Sequence, residues 1–152
     1  VGLTDEQQRV WRGYLTMVSG LEAAMNRQLQ ADCGLSLADY DVLVPLSERG
    51  PQRVYELAEA LSWEQSRLSH QLRRMRDRGL VTRRGSHDDR RGATIGLTPR
   101  GRAALRAAAP GHAELVRATM FDEMTATELR ALRSLIDRVV GRLATSPPRR
   151  SG

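Results

Sequence analysis

Between Gln65 and Arg76 the chain reads QSRLSHQLRRMR. At helical spacing Leu68, Leu72 and Met75 share one face, while Ser66, His70 and Arg73 point away from it, flanked by Arg67, Ser69 and Arg74. One face can pack and the other presents hydroxyls, an imidazole and guanidinium forks. Such groups hydrogen-bond base edges, often in bidentate pairs, and hold phosphates through charge. Gln65, Ser66, Arg67, Ser69, His70 and Arg73 are the candidates for base-edge and nearby phosphate contacts. Arg74 joins them chiefly as a positioning charge, as do Arg76 and Arg78.

A second cluster follows directly in RRGSHDDRRGATIGLTPRG, residues 83–101. Glycines bound a loop carrying Arg84, His87, Asp89, Arg90 and Arg91, a basic projection suited to flanking phosphates or a minor groove. His87, Asp88 and Asp89 carry metal-ligand atoms, but a turn in which aspartate orients arginine needs no metal, so none is expected. The loop is not a Walker motif either, because GxxxxGK followed by Ser or Thr is missing. All 24 basic residues are arginine, and the formal net charge is +6. The stretch from Glu64 to Arg102 holds 11 of those arginines and only 4 of the 18 acidic residues, so it carries +7 and the rest of the chain −1. The positive charge is regional, as a polyanion-binding surface requires.

The elements that must position these groups can be read from periodicity and caps. Val10, Tyr14, Met17 and Leu21 recur at helical steps and predict an amphipathic helix over 5–30. Ser36 caps a second helix over 37–48, with Asp39 as the capping-box acid, and Pro45 is expected to kink it or split it into two turns. Val54, Leu57, Ala58 and Leu61 mark a short third helix. For the fourth, Ser62 is the expected N-cap, Gln65 completes its capping box and Gly79 supplies the left-handed stop. LVTRR at 80–84 and ATIGL at 93–97 predict a β-hairpin. Thr98 caps and Pro99 begins an Ala-rich helix expected to break near Pro110 and Gly111. Thr125 and Glu128 box the start of a last helix, whose Leu129, Leu132, Ile136, Val139 and Leu143 form a packing seam. SPPRRSG, residues 146–152, is expected to be disordered.

At 152 residues the chain fits one domain. No apolar run reaches the length of a bilayer span and no signal-peptide pattern is present, so a cytoplasmic protein without a membrane partner is the expectation. Cys33 stands alone, which excludes an intrachain disulfide and a CxxC site. No acid–base pair, activated nucleophile or cofactor motif can be placed, so neither an enzyme nor a cofactor is expected. Single-strand binders stack bases on aromatic side chains, and residues 64–102 contain none; duplex DNA is the preferred partner.

Two short helices, a donor-rich helix and a basic hairpin follow the order of a winged helix-turn-helix. The ordered segments LSLADYDVLVPLSE, VYELAEALSWEQSRLSHQLRRMRDRGLVTRR and DDRRGATIGLTPRG, enclosed by long helices, resemble the MarR family of bacterial transcriptional regulators over residues 5–145. The DRR wing, followed by LTPRG after an RGLV segment, is the more specific part. The resemblance implies a mainly α fold with a small β-hairpin, and a homodimeric repressor whose fourth helix reads the major groove while the wing reaches the minor groove. It matches Asp89 to a wing aspartate that positions arginine, and Arg90 and Arg91 to DNA-facing or wing-ordering residues. One departure is Ser86-His87, where the family often has Asp-Pro. A DNA-binding architectural or antirepressor protein is the alternative.

The resulting plan is a dimerisation helix over 1–35, a DNA-binding lobe over 36–97, further dimerisation helices over 98–145 and a tail. Apolar seams over 5–30 and 112–143 exceed what the small central module can cover, which favours pairing of two chains. Family members often bind small aromatic or phenolic compounds between these regions, and Trp11, Tyr14, Met17 and Tyr40 are the candidates to line such a cleft. Peroxide-sensing relatives carry a cysteine near the start of the first helix; Cys33 follows that helix instead.

Overall fold

The computed structural model describes residues 2–85 and 92–145. Two compact units divide between Ala113 and Glu114. In the first unit, helix α1 (Asp5–Cys33) starts from a Thr4 capping box with Gln7 and stops at Gly34, which is left-handed at φ 69°. Helix α2 (Leu37–Arg49) follows from the Ser36 and Asp39 capping box. Strand β1 (Gln52–Arg53), helix α3 (Val54–Leu61) and helix α4 (Gln65–Asp77) lead into strands β2 (Val81–Arg84) and β3 (Thr94–Leu97). Helix α5 (Pro99–Val116) crosses the division into the second unit, where a π-helical turn (Arg117–Phe121) and helix α6 (Ala126–Thr145) complete the chain. This is the expected mainly helical fold, a winged helix-turn-helix flanked by long helices.

Leu29, Val42, Leu43, Leu57, Leu68, Met75 and Ile95 are fully buried, so one core gathers side chains from α1, α2, α3, α4 and β3. Leu68, Leu72 and Met75 are buried as the α4 apolar stripe requires. That face anchors the helix and leaves its donors outside.

Four local expectations need correction. Ser62 does not cap α4; it takes the left-handed conformation, φ 57°, and ends α3. Its N–H bonds the Glu59 carbonyl and the Trp63 N–H bonds the Ala58 carbonyl, the pair that defines a Schellman closure. Glu64 is the N-cap and makes no side-chain cap bond. Serine followed three residues later by glutamine fits a capping box, but the same serine can close the preceding helix, and a turn this short cannot use it twice. The hairpin is, secondly, part of a three-stranded antiparallel sheet ordered β1-β3-β2, with Gln52 opposite Ile95 and Arg83 also opposite Ile95 from the other side. Two residues are too few to show strand periodicity.

Pro45 does not split α2 into two turns; the helix runs from Leu37 to Arg49 through it. The Pro45 carbonyl accepts Gln52 Nε2 at 3.0 Å, tying the helix to β1. Pro110 likewise lies within α5, and the irregular segment falls later, at Arg117–Phe121. Arg106, whose carbonyl loses its donor to Pro110, is exposed, so water can replace the missing bond.

The LTPRG segment has a clear structural reason. Thr98 Oγ1 accepts the Gly101 N–H at 3.0 Å and lies 2.6 Å from the Gly79 carbonyl, joining the start of α5 to the end of α4. Gly101 is buried where any Cβ would collide with the Leu80 carbonyl. Gly79, at φ 73°, supplies the stop expected of it, in a second Schellman closure made by the Gly79 N–H to Arg76 O and the Leu80 N–H to Met75 O.

A buried carboxylate sets the placement of α4. Asp39 accepts the Ser36 N–H at 2.9 Å, Gln71 Nε2 at 2.7 Å and the Arg78 guanidinium at 2.6 Å. Arg78 also donates to the Gly34 carbonyl at 2.8 Å, reaching the end of α1. The Asp39 side chain is 3% exposed and that of Arg78 46%. Removing the carboxylate strands buried donors, whereas removing the half-exposed arginine leaves a carboxylate that keeps two partners. Asp39→Ala is therefore expected to lose about 2 to 4 kcal/mol in urea unfolding at fixed protein concentration, and Arg78→Ala clearly less.

Candidate nucleic-acid interface

Gln65, Ser66, Arg67, Ser69, His70, Arg73 and Arg74 are all exposed on α4. They occupy the face away from Leu68, Leu72 and Met75, so the structure brings the helical candidates onto one continuous surface. Their surroundings differ. Arg74 donates to Gln71 Oε1 at 2.6 Å, which attaches it to the Asp39 network. The Arg67 guanidinium lies over the Trp63 ring, 4.0 Å from its centroid. Ser69, Arg73 and Arg76 line one wall of a groove of about 360 Å³, and Val81, Arg83 and Ile95 of the sheet line the other.

Arg83 and Trp63 were missed by the residue-type reading. Alternation along Val81-Thr82-Arg83-Arg84 would have found Arg83, since it shares the face of buried Val81 and so turns toward α4. Trp63 stands four residues before Arg67, spacing at which a ring and a guanidinium can meet across a helix start. Arg84 is exposed and lines a separate groove of about 260 Å³ on the sheet with Thr82, Thr94 and Arg102. His87, Asp89, Arg90 and Arg91 lie outside the described residues, as do the Ser86-His87 departure and the 146–152 tail.

The cleft candidates fall into two groups, three residues of α1 and Tyr40 of α2. Trp11 and Tyr14 stack with ring centroids 5.5 Å apart and are both about half exposed, and Met17 is exposed one turn further on. Tyr40 is half-buried and packs on His112 of α5 at 4.9 Å. Close to Tyr40 is a polar cluster that the sequence did not single out. Buried His112 Nδ1 and Gln28 Oε1 have no hydrogen-bond partner among the described residues. Burial, and then the charge of Glu22, push the Asp41 carboxyl above the usual range, while Arg67 and His112 oppose the rise. The Tyr40 hydroxyl is raised by burial and then by Asp41 and Glu48.

An acid with a raised folded-state pKa contributes stability while it is protonated and loses it as pH rises through that pKa. Wild-type protein should therefore lose stability relative to Asp41→Asn as pH rises from about 4, the unfolded carboxylate value, toward neutrality. Parallel denaturant titrations across that window check the sign; a difference that stays constant with pH would contradict it.

Among the described residues no group of three His, Cys, Asp or Glu side chains could hold a metal, and no helix is long and apolar enough to cross a membrane. The MarR family model matches residues 35–92, which contain α2, α3, α4 and β2. No curated protein matches the chain significantly. Among solved structures, Sco3205 from Streptomyces coelicolor, a MarR family transcriptional regulator solved in complex with DNA, is 38% identical. The match covers 97% of this chain and 96% of that one, with a TM-score of 0.86. AbsC, a MarR family transcriptional regulator also from Streptomyces coelicolor, is 34% identical over 96% of this chain and 99% of its own, with a TM-score of 0.85. The transcriptional regulator BldR from Sulfolobus solfataricus is 26% identical, covers 91% and 99% of the two chains and has a TM-score of 0.71. Full-length similarity at these identities, joined to the donor-bearing helix and its adjoining sheet, establishes that the chain belongs to the MarR family of transcriptional regulators, DNA-binding winged helix-turn-helix proteins and not enzymes.

Proposed function

We propose that the chain is a homodimeric cytoplasmic repressor that binds a pseudo-palindromic operator and is released by a small aromatic ligand. The observation that carries its DNA-reading part is the exposed donor face of α4 beside a groove walled by Arg73, Arg76 and Arg83. The relative Sco3205, solved with DNA, supports the same assignment.

A major groove about 12 Å wide admits one helix. In this reading α4 enters it, Gln65, Ser66, Arg67, Ser69, His70 and Arg73 meet base edges and nearby phosphates, and Arg74 adds positioning charge. Arg84 and the wing residues His87, Arg90 and Arg91 reach flanking phosphates or the minor groove, with Asp89 orienting an arginine. The DNA-binding lobe is residues 36–97, the dimerisation regions are 1–35 and 98–145, and 146–152 is a tail.

Both units leave apolar side chains uncovered, which supports pairing. In α1, Val10, Trp11, Tyr14 and Leu15 are about half exposed or more, and in α6 the same holds for Leu129, Leu135, Ile136, Val140 and Leu143. Water contact at these side chains is unfavourable by about 25 cal/mol per Å² of apolar surface, so a second copy that covers them stabilises both chains. A dimer would set its two reading helices about 34 Å apart, one helical turn of DNA. Sizing and DNA titration should give two chains per operator; a monomer binding one half-site with undiminished affinity would remove the dimer from the account.

The two kinds of arginine should separate in mutants. Arg73→Ala is expected to relax discrimination at one or two base pairs, with a loss of about 1 to 3 kcal/mol on the best site. Arg90→Ala should lower affinity evenly across sequences and reduce the salt slope by about 1. Binding isotherms on matched and mismatched duplexes at several salt concentrations measure both.

Release would follow if a ligand near Trp11, Tyr14, Met17 and Tyr40 prefers a dimer geometry whose reading helices no longer match successive grooves. A tenfold fall in DNA affinity requires about 1.4 kcal/mol of coupling. Linkage makes the effect reciprocal, so saturating operator should weaken the ligand by the same factor. Thermal-shift screening of aromatic acids and phenols, followed by titration with and without operator, tests this. A ligand indifferent to operator would leave constitutive binding controlled by protein abundance.

A further inference from the structure

Trp63 has no part in the contacts proposed so far, yet it occupies a demanding position. It is the residue before the N-cap of α4, and its backbone N–H completes the Schellman closure of α3 on the Ala58 carbonyl at 3.0 Å. Its side chain is half-buried against the core that contains Leu68. Trp63 and Leu68 hold the two positions of a hydrophobic staple, which fixes the angle at which the chain enters a helix. Ring and backbone are thus both anchored, and the ring carries the Arg67 guanidinium at 4.0 Å.

Arg67 is the third residue of α4, in the turn from which a recognition helix contacts base edges. Stacking occupies the flat face of a guanidinium, whereas its five N–H donors lie in the plane and point outward. The Trp63 contact therefore restrains Arg67 without using a donor. Among the described residues Arg67 makes no hydrogen bond, in contrast to Arg74, held by Gln71, and Arg78, held by Asp39 and Gly34. The Arg67 charge is also felt by Asp41 of α2, which favours its remaining on that side of the helix.

We infer that Trp63 is a specificity-determining positioning residue, whose ring holds the Arg67 guanidinium in one pose so that its free edge reads guanine O6 and N7 as a bidentate pair. This rests on the DNA-reading function proposed above. An unstacked arginine at this position would sample many rotamers and act as a general phosphate-binding charge. A stacked one presents a fixed fork and loses more when the base is wrong.

The test is selection from a randomised duplex library with wild type, Arg67→Ala, Trp63→Leu, Trp63→Phe and the Trp63→Leu/Arg67→Ala double variant. Leucine keeps apolar packing and lacks a ring face; phenylalanine keeps a weaker one. Circular dichroism checks the fold of each. Wild type should enrich a motif with a guanine whose preference Arg67→Ala removes. Trp63→Leu should lose preference at that same position by about tenfold, with the other positions and the salt slope retained. Trp63→Phe should recover part of it, and the double variant should lose no more than Arg67→Ala alone. If leucine prevents folding, phenylalanine decides: a weakened guanine preference supports the inference and an unaltered one overturns it. Losses that multiply in the double variant, or a Trp63→Leu motif identical to that of wild type, also overturn it. A wild type that enriches no motif would instead bring down the DNA-reading function itself, and this inference with it.

Discussion

The Asp39 carboxylate is the contact on which the placement of the α4 donor face depends. A carboxylate buried this deeply is destabilising unless its oxygens are met by donors, and here the Ser36 N–H, Gln71 and Arg78 meet them. Gln71 and Arg78 are seven residues apart, so they lie almost in line along α4, at the border between its apolar stripe and its donor face. Holding that line fixes the rotation of the helix about its own axis. Leu68, Leu72 and Met75 could tolerate a modest roll, since apolar contacts are not directional. Hydrogen bonds to one carboxylate could not. With the roll fixed, Ser66, His70 and Arg73 must face outward.

Rotation alone does not place the donor face; the ends of α4 must also be set. Both helix ends that flank the α4 segment close by the same Schellman pattern, at Ser62 before it and at Gly79 after it. Glycine adopts the left-handed conformation without penalty, whereas serine at φ 57° carries a strain of about 1 kcal/mol or more. That strain is tolerated where Trp63 immediately follows and packs on the core. At the far end Gly79, Leu80 and Thr98 connect α4 to α5 as well as to β2. The donor face therefore stands between fixed turns, with the Asp39 network along one border and the arginine-lined groove along the other.

Much of this was legible in the sequence because periodicity and caps are local. The stripe Leu68, Leu72 and Met75, the Ser36 and Asp39 box, the Gly79 stop and the Thr98-Pro99 start each depend on residues a few positions apart. What sequence reading missed depends on partners far along the chain or on competition between two local uses of one residue. Asp39 reads as a weak capping acid, and nothing nearby announces Gln71 or Arg78, 32 and 39 residues away. Ser62 satisfies two motifs and the chain adopts the one that closes α3. Strand β1 exists only because β3 is there to pair with it. The bonds of Arg78 and Arg74 were hidden for the same reason: charge pattern identifies an arginine, but only the fold shows that Asp39 holds the first and Gln71 the second.

These constraints also bear on how a signal could reach DNA. Arg78 bonds both Asp39 and the Gly34 carbonyl, so one guanidinium joins the end of α1, the start of α2 and the end of α4. A displacement of the α1–α2 junction relative to α4 would break the Arg78 and Gln71 bonds to the buried Asp39 carboxylate, so moving α4 with the junction costs less. The second link between these elements is softer: the charges of Glu22 of α1, Arg67 of α4 and His112 of α5 each act on the Asp41 carboxyl of α2. A stiff link that moves the helix as a body and a soft one that ends at a single arginine of the donor face would have different consequences. In the function proposed above, the first would change the spacing of the two α4 helices in a dimer, and so affinity for the whole site. The second would change the electrostatic environment of Arg67, and so, under the role inferred for Trp63, the preference at one base position alone.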